Sequence, residues 1–194
     1  MTEHLWVPHS GPAQPFHVQI ANQVHVDGEG RTLAYSVGPC FYIPTQIQAE
    51  NRLEFSDDVT DAAGMPRITA HFSYTEQDRR LIDRAREDQR RTAEALGPFD
   101  AETESALLPA GSSLHFTGTV RMGPVDDGTS VCNPDGRVWG FENLYLAGNG
   151  VLPTALACNS TLTGMTTAVR AARSLGELLG ASVDAGSAPM RGPA

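Results

Sequence analysis

Two short stretches carry the residue types that could do chemistry. "LYLAGNGVLP" (Leu144 to Pro153) delivers an apolar segment into a turn of small residues: Gly148, Asn149 and Gly150, followed by Val151. A turn of that composition lets a backbone approach a ligand closely. "CNSTLTGMTTAVRAA", starting at Cys158, then opens a helical pattern. The first amides of a helix lack intrahelical acceptors, so a start around Asn159, Ser160, Thr161 and Leu162 favours negative charge or an electron-rich carbonyl. A phosphate meets that description, and so does the pyrimidine carbonyl of a flavin. An ordinary buried strand–helix junction with Asn159 as N-cap also fits the same residues.

The elements that must position this ending are legible from periodicity. In "FHVQIANQVHV", Phe16, Val18 and Ile20 alternate with His17 and Gln19, the pattern of a half-buried strand. "DGEG" (Asp27 to Gly30) is a hairpin signal. "TLAYSVG" and "CFYIPTQIQ" are further strand candidates, Pro44 pushing the second toward an edge or a bulge. "NRLEFS" and "PRITAHFSY" alternate again, so the chain up to Tyr74 predicts one antiparallel sheet of about four or five strands. The period then changes to helical over 75–97. Thr75 is the N-cap, Asp78 gives a weak capping box, and Leu81, Ala85, Ala93 and Leu96 share a face before Gly97-Pro98 closes it. "DAETESALLPAGSS" is a short helix or a loop, "NLYLAG" a short buried strand, and Ser160 to Leu179 the last helix. The predicted class is α+β, with residues 1–112 as one domain, 113–180 as a second segment and 181–194 as a disordered tail.

Composition narrows the function classes. A net charge of −9 over 194 residues argues against nucleic acid or an anionic membrane as partner, because both select a basic face. No segment approaches the roughly 20 apolar residues of a membrane span. The three cysteines, Cys40, Cys132 and Cys158, show no zinc spacing, and the chain opens without a secretion signal, which predicts reduced thiols in a cytoplasm. His4, His9, His17, His25 and His71 show no metal-ligand spacing either, so they are expected in surface or loop roles and no metal site is predicted. The arginines of the helix over 75–97 alternate with acids and read as a solvated face.

The wider pattern adds a family. "LHFTGTVRMG" and then "NPDGRVWGFENLYLAGNGVLPTALACNSTLTGM" resemble the C-terminal signature of the glucose–methanol–choline (GMC) oxidoreductases, and "NRLEFSDDVTDAAGMPRITAHFSYT" resembles the substrate-domain stretch of the pyranose oxidases within that family. The resemblance runs from about Pro15 to Leu179. It implies an antiparallel substrate-domain sheet, followed by the final strand and helix that complete an FAD-binding domain. It gives His115 in "LHFTG" the place of the catalytic histidine and Asn159 in "CNST" that of its active-site partner. Gly148, Asn149, Gly150 and Val151 take the place of the turn bordering the flavin, while Ser160, Thr161 and Leu162 take that of the helix start facing it. The implied activity is oxidation of a secondary alcohol on a sugar, glycoside or sugar-like molecule, with FAD as hydride acceptor.

The family's G-x-G-x-x-G fingerprint, a strand feeding a helix through glycines, has no counterpart in these 194 residues. The expectation is therefore a split enzyme, in which a second polypeptide carries the nucleotide-binding portion. The rival expectation is a non-catalytic half-enzyme that binds or stabilises another oxidoreductase. Two departures bear on substrate: "VGPCFYIPTQIQ" lacks charged side chains that would grip a free sugar, and Val120 stands where some relatives carry another histidine. Alone, the chain is expected to expose an apolar seam around Leu144, Tyr145, Leu146 and the last helix.

Overall fold

The computed structural model describes residues 4–100, 102, 105–113 and 115–180, so the expectation of a disordered tail over 181–194 lies outside the described residues. The chain divides into two compact units: Met1–Thr119 with Thr154–Ser160, and Val120–Pro153 with the helix from Thr161.

The first unit is built on strands β1 (His4–Val7), β2 (His17–Val26) and β3 (Thr32–Tyr42), antiparallel in the order β1-β2-β3. Strands β4 (Arg52–Thr60) and β5 (Pro66–His71) pair only with each other. The expected single sheet is thus two sheets, and β1 was not foreseen. Local alternation identifies strands but carries no information about which strands pair. "TLAYSVG" and "CFYIPTQIQ" form one 11-residue strand that runs through Pro39 and ends at Tyr42, before Pro44. Pro39 is tolerated because β3 is an edge strand, where a missing N–H costs no ladder bond. "DGEG" closes the β2–β3 hairpin as expected. Gly30 supplies φ 81°, and Asp27 Oδ1 accepts from the Glu29 and Arg31 amides, each at 2.9 Å.

The period-2 alternation of β2 divides its side chains between two faces. Phe16 and Val18 are buried with Ala85 of helix α1 (Glu76–Leu96), and Ile20, Phe41, Ile43 and Leu81 pack around them. His17 and Gln19 belong to the opposite face, and there the structure corrects the expectation of a surface or loop role for His17, which is 8% exposed. Helix α1 starts with a complete capping box: Thr75 Oγ1 accepts the Asp78 amide, and the Asp78 carboxylate accepts the Thr75 amide. The box does more than cap. Asp78 is 1% exposed and also accepts the Gln46 amide at 2.7 Å, fixing the helix start to the segment after β3. Hydrogen bonds to a buried charged group contribute about 1.5–3 kcal/mol each, so this carboxylate is a larger anchor than a surface cap. Ile82 rather than Leu96 completes the buried face of α1, since Leu96 is 51% exposed. Arg80 and Arg90 meet acids on the surface, Arg90 pairing with both Glu87 and Glu94, while Arg84 lies near Asp88 and also reaches the first strands' connection. Its guanidinium donates to the Pro12 and Ala13 carbonyls and lies over the Phe16 ring.

The second unit is mostly irregular backbone tied by turns around Cys132, Val151, Leu152 and Ala171, all nearly buried. "NLYLAG", expected as a buried strand, makes one antiparallel bridge, Tyr145 with Arg137, and Leu144 is 42% exposed. The backbone bonds Val138 N–H to Leu144 O and Leu146 N–H to Gly136 O nonetheless hold it in place. Helix α2 spans Thr161–Leu178 and buries Gly164 and Ala171. Its Leu162, Met165 and Val169 are more than half exposed, an apolar line at helical spacing left open.

Candidate functional site

In the first unit, polar and aromatic side chains gather at the end of β3. Register places Tyr42 directly opposite His17. The two rings meet edge-on, with centroids 5.5 Å apart and an interplanar angle of 63°, and Trp6 of β1 lies 5.2 Å from His17 on its other flank. His115 follows in a stretch without regular secondary structure, its amide donating to Ser113 Oγ at 3.2 Å. Its half-buried imidazole stacks on Tyr42 at 5.9 Å and 17°. The Tyr42 hydroxyl donates to Gln19 Oε1 at 3.3 Å, and the Asn159 side chain lies near it. Burial pushes the phenol pKa up, and the neighbouring Cys40 adds to the rise; the nearby Asn159 side chain pulls it down by less. The hydroxyl therefore stays protonated at neutral pH and remains a donor.

His115 and Asn159 are well separated along the chain, yet His115 stacks on Tyr42 and Asn159 lies near the same phenol. Beside them, His17 Nε2 and Gln19 Nε2 are buried with no hydrogen-bond partner in the structure. Unmatched buried polar atoms cost free energy, so their presence marks a place where a polar guest would be stabilising. An imidazole that can take a proton, a carboxamide that can hold an oxygen, and spare polar groups around the Tyr42 they share suit a hydroxylated substrate.

In the second unit, the turn at Gly148 has φ 90°, and a Cβ there would meet nothing within 4 Å. One face of the turn is therefore open. Its other side is clasped by Thr167 Oγ1, which accepts the Gly148 amide at 3.1 Å and lies 3.0 Å from the Gly148 carbonyl. Asn149–Val151 make a single 3-10 turn. The Gly150 and Val151 carbonyls accept the Val120 and Met122 amides at 3.0 and 2.8 Å, which pins the turn to the backbone before it. Val151 is buried. Asn149 packs so tightly on Gly164 that a Cβ at that glycine would collide with its side-chain oxygen, and that oxygen has no hydrogen-bond partner.

Helix α2 carries no acid in its first turn, so nothing on the helix itself offsets the partial positive charge of its N-terminus. Thr161 is exposed and Leu162 is 77% exposed. Ser160, the residue before the helix, is 2% exposed, and its hydroxyl is likewise without a partner. A serine at that position normally caps the first amides. This one does not.

Four residues of these arrangements were not singled out from the sequence. His17 and Gln19 sit on the polar side of a strand whose alternation was read only for its apolar side. Tyr42 was hidden in an apolar run that ends before a proline. Thr167 follows Gly164 by three positions on the helix, a spacing that places the two on one face.

A family model for the C-terminal domain of GMC oxidoreductases matches residues 48–168. The chain is 43% identical over 178 residues to a C-glycoside 3-oxidase from Microbacterium trichothecenolyticum, covering 89% of this chain and 34% of that protein. It is 42% identical over 179 residues to a C-glycoside 3-oxidase from Arthrobacter globiformis, covering 90% and 34%. A pyranose 2-oxidase from Tricholoma matsutake is 34% identical over 178 residues, covering 87% and 31%. The chain thus spans about a third of the length of the curated relatives it matches.

Proposed function

The chain belongs to the GMC oxidoreductase family, and from that premise we propose that it is the substrate-binding and proton-transferring part of an FAD-dependent enzyme that oxidises a secondary alcohol of a glycoside or sugar to a ketone. The observation that carries this reading is the stacking of His115 on Tyr42, with Asn159 near the same ring and the unpartnered His17 and Gln19 nitrogens beside it. A glycoside is favoured over a free sugar because identity to the C-glycoside 3-oxidases, 43% and 42%, exceeds the 34% to the pyranose 2-oxidase. The uncharged strand end Val37–Tyr42 agrees with that preference.

Oxidation of an alcohol removes a proton from oxygen and a hydride from carbon. His115 takes the proton, and the Asn159 amide donates to the same oxygen without competing for the proton. Bound FAD supplies the hydride acceptor. Gly148, Asn149, Gly150 and Val151, with Ser160, Thr161 and Leu162, would hold the flavin's ring system. They fit such a group: the turn has an open face at Gly148, Asn149 Oδ1 and Ser160 Oγ are buried without partners, and the helix start is free of acids. The amides at that helix start favour negative charge, as an electron-accepting ring requires.

The adenosine and pyrophosphate of FAD have no fingerprint in these 194 residues. We assign their binding to a G-x-G-x-x-G fold outside these residues, which would cover the exposed Leu144 and the open line Leu162, Met165 and Val169. All three cysteines are free, in keeping with the reducing cytoplasm in which we place the enzyme.

The test is to produce these residues together with that nucleotide-binding fold. The purified complex should be yellow, and without oxygen it should bleach on addition of a glycoside, yielding ketone in proportion to flavin. A colourless complex, or a yellow one that neither glycosides nor free sugars bleach, would contradict the reading and favour a non-catalytic module.

A further inference from the structure

Neither His115 nor Asn159 stands on a strand or a helix. A base that must meet one hydroxyl proton needs a fixed orientation, because misplacement by about 1 Å can cost roughly 10²-fold in rate. The strand residue whose ring meets His115 is Tyr42, the last residue of β3. We propose that Tyr42 is the positioning residue of the site, its ring setting the plane of the His115 imidazole and its hydroxyl, tied to Gln19, holding that ring in place. This inference rests on the reading of His115 given above.

Tyr42 is itself held from several sides. Its backbone is paired with His17, and the His17 ring packs edge-on against it at 5.5 Å. Its hydroxyl donates to Gln19 Oε1, a residue two positions along the same strand and on the same face as His17. The phenol can therefore neither tilt nor swing without breaking contacts to β2. Among the described residues, the ring contact of His115 is with Tyr42, stacked within 17° of parallel.

Two substitutions separate the two jobs. Tyr42→Phe keeps the platform and removes the hydroxyl; Tyr42→Leu removes both. In the FAD-loaded complex, Tyr42→Phe should lower kcat/KM for the glycoside roughly tenfold, the scale of one ordinary hydrogen bond. Tyr42→Leu should lower it by about 10²-fold, the loss falling on kcat with KM little changed, because the imidazole has lost its stacking face. Flavin content should stay at the wild-type level in both. A merely structural role would lower the melting temperature and leave kcat per bound flavin unmoved. Wild-type kcat in Tyr42→Leu, alongside an inactive His115→Asn variant, would overturn the role of Tyr42 and spare the proposed function. An active His115→Asn variant would overturn both.

Discussion

Replacing His115 with asparagine should lower turnover of the FAD-loaded enzyme by about 10²–10⁴-fold, the usual contribution of one positioned base. Asparagine keeps a polar, planar group of similar reach but cannot take a proton. Loss of the base should appear in the chemical step, so the rate of anaerobic bleaching should fall with kcat while KM changes little. FAD should remain bound at the wild-type level, because the flavin-holding residues proposed here, Gly148 to Val151 and Ser160 to Leu162, do not include His115. The check is a rapid-mixing measurement of bleaching with saturating glycoside, variant against wild type, at matched flavin content. Near-normal bleaching in the variant would remove His115 from the role of base.

The second large effect concerns stability. Gly136→Ala should destabilise the second unit by about 3 kcal/mol or more. Gly136 has φ 85°, a conformation that costs a residue with a Cβ roughly 1–2 kcal/mol. Its Cβ would also collide with the Leu146 carbonyl oxygen and press on Ala171, and a backbone oxygen cannot swing away as a side-chain tip can. That oxygen belongs to the segment that the Gly136 carbonyl itself holds, by accepting the Leu146 amide at 2.8 Å. Relief of the clash therefore breaks the tie that keeps "NLYLAG" in place ahead of the Gly148 turn. Gly128→Ala is the control: φ is 81°, but its Cβ would meet nothing within 4 Å, so only the conformational cost applies. Urea denaturation of the full chain should show the Gly136 variant with much the lower midpoint. Equal midpoints for the two variants would show that the close approach at Leu146 carries no weight.

Much of the fold was legible where a local rule sufficed. Asp27–Gly30 fixes a hairpin by turn chemistry, and Thr75 with Asp78 fixes a helix start by reciprocal hydrogen bonds. What escaped depends on partners distant in sequence. The separation of β4–β5 from β1–β2–β3 is a choice of pairing, which alternation within each strand does not encode. His17 looked like a strand residue facing solvent, whereas Tyr42 and Trp6 cover it. "NLYLAG" reads as buried because it is apolar, yet Leu144 is 42% exposed in this chain. An apolar run looks the same whether its own chain or another surface covers it. The family was legible because its ending has a distinctive order of glycine, asparagine and helix start, and residues 48–168 match the family model. Tyr42 was not, since an aromatic residue at a strand end is ordinary until both of its neighbours are known.

The account stands on two side chains acting on one oxygen. The most direct measurement is a crystal structure of the FAD-loaded complex with a glycoside or its ketone product bound. We expect a His115 ring nitrogen and the Asn159 side-chain nitrogen both within about 2.6–3.2 Å of the same substrate oxygen. A substrate oxygen reached by neither, or by only one with the other facing away, would contradict it.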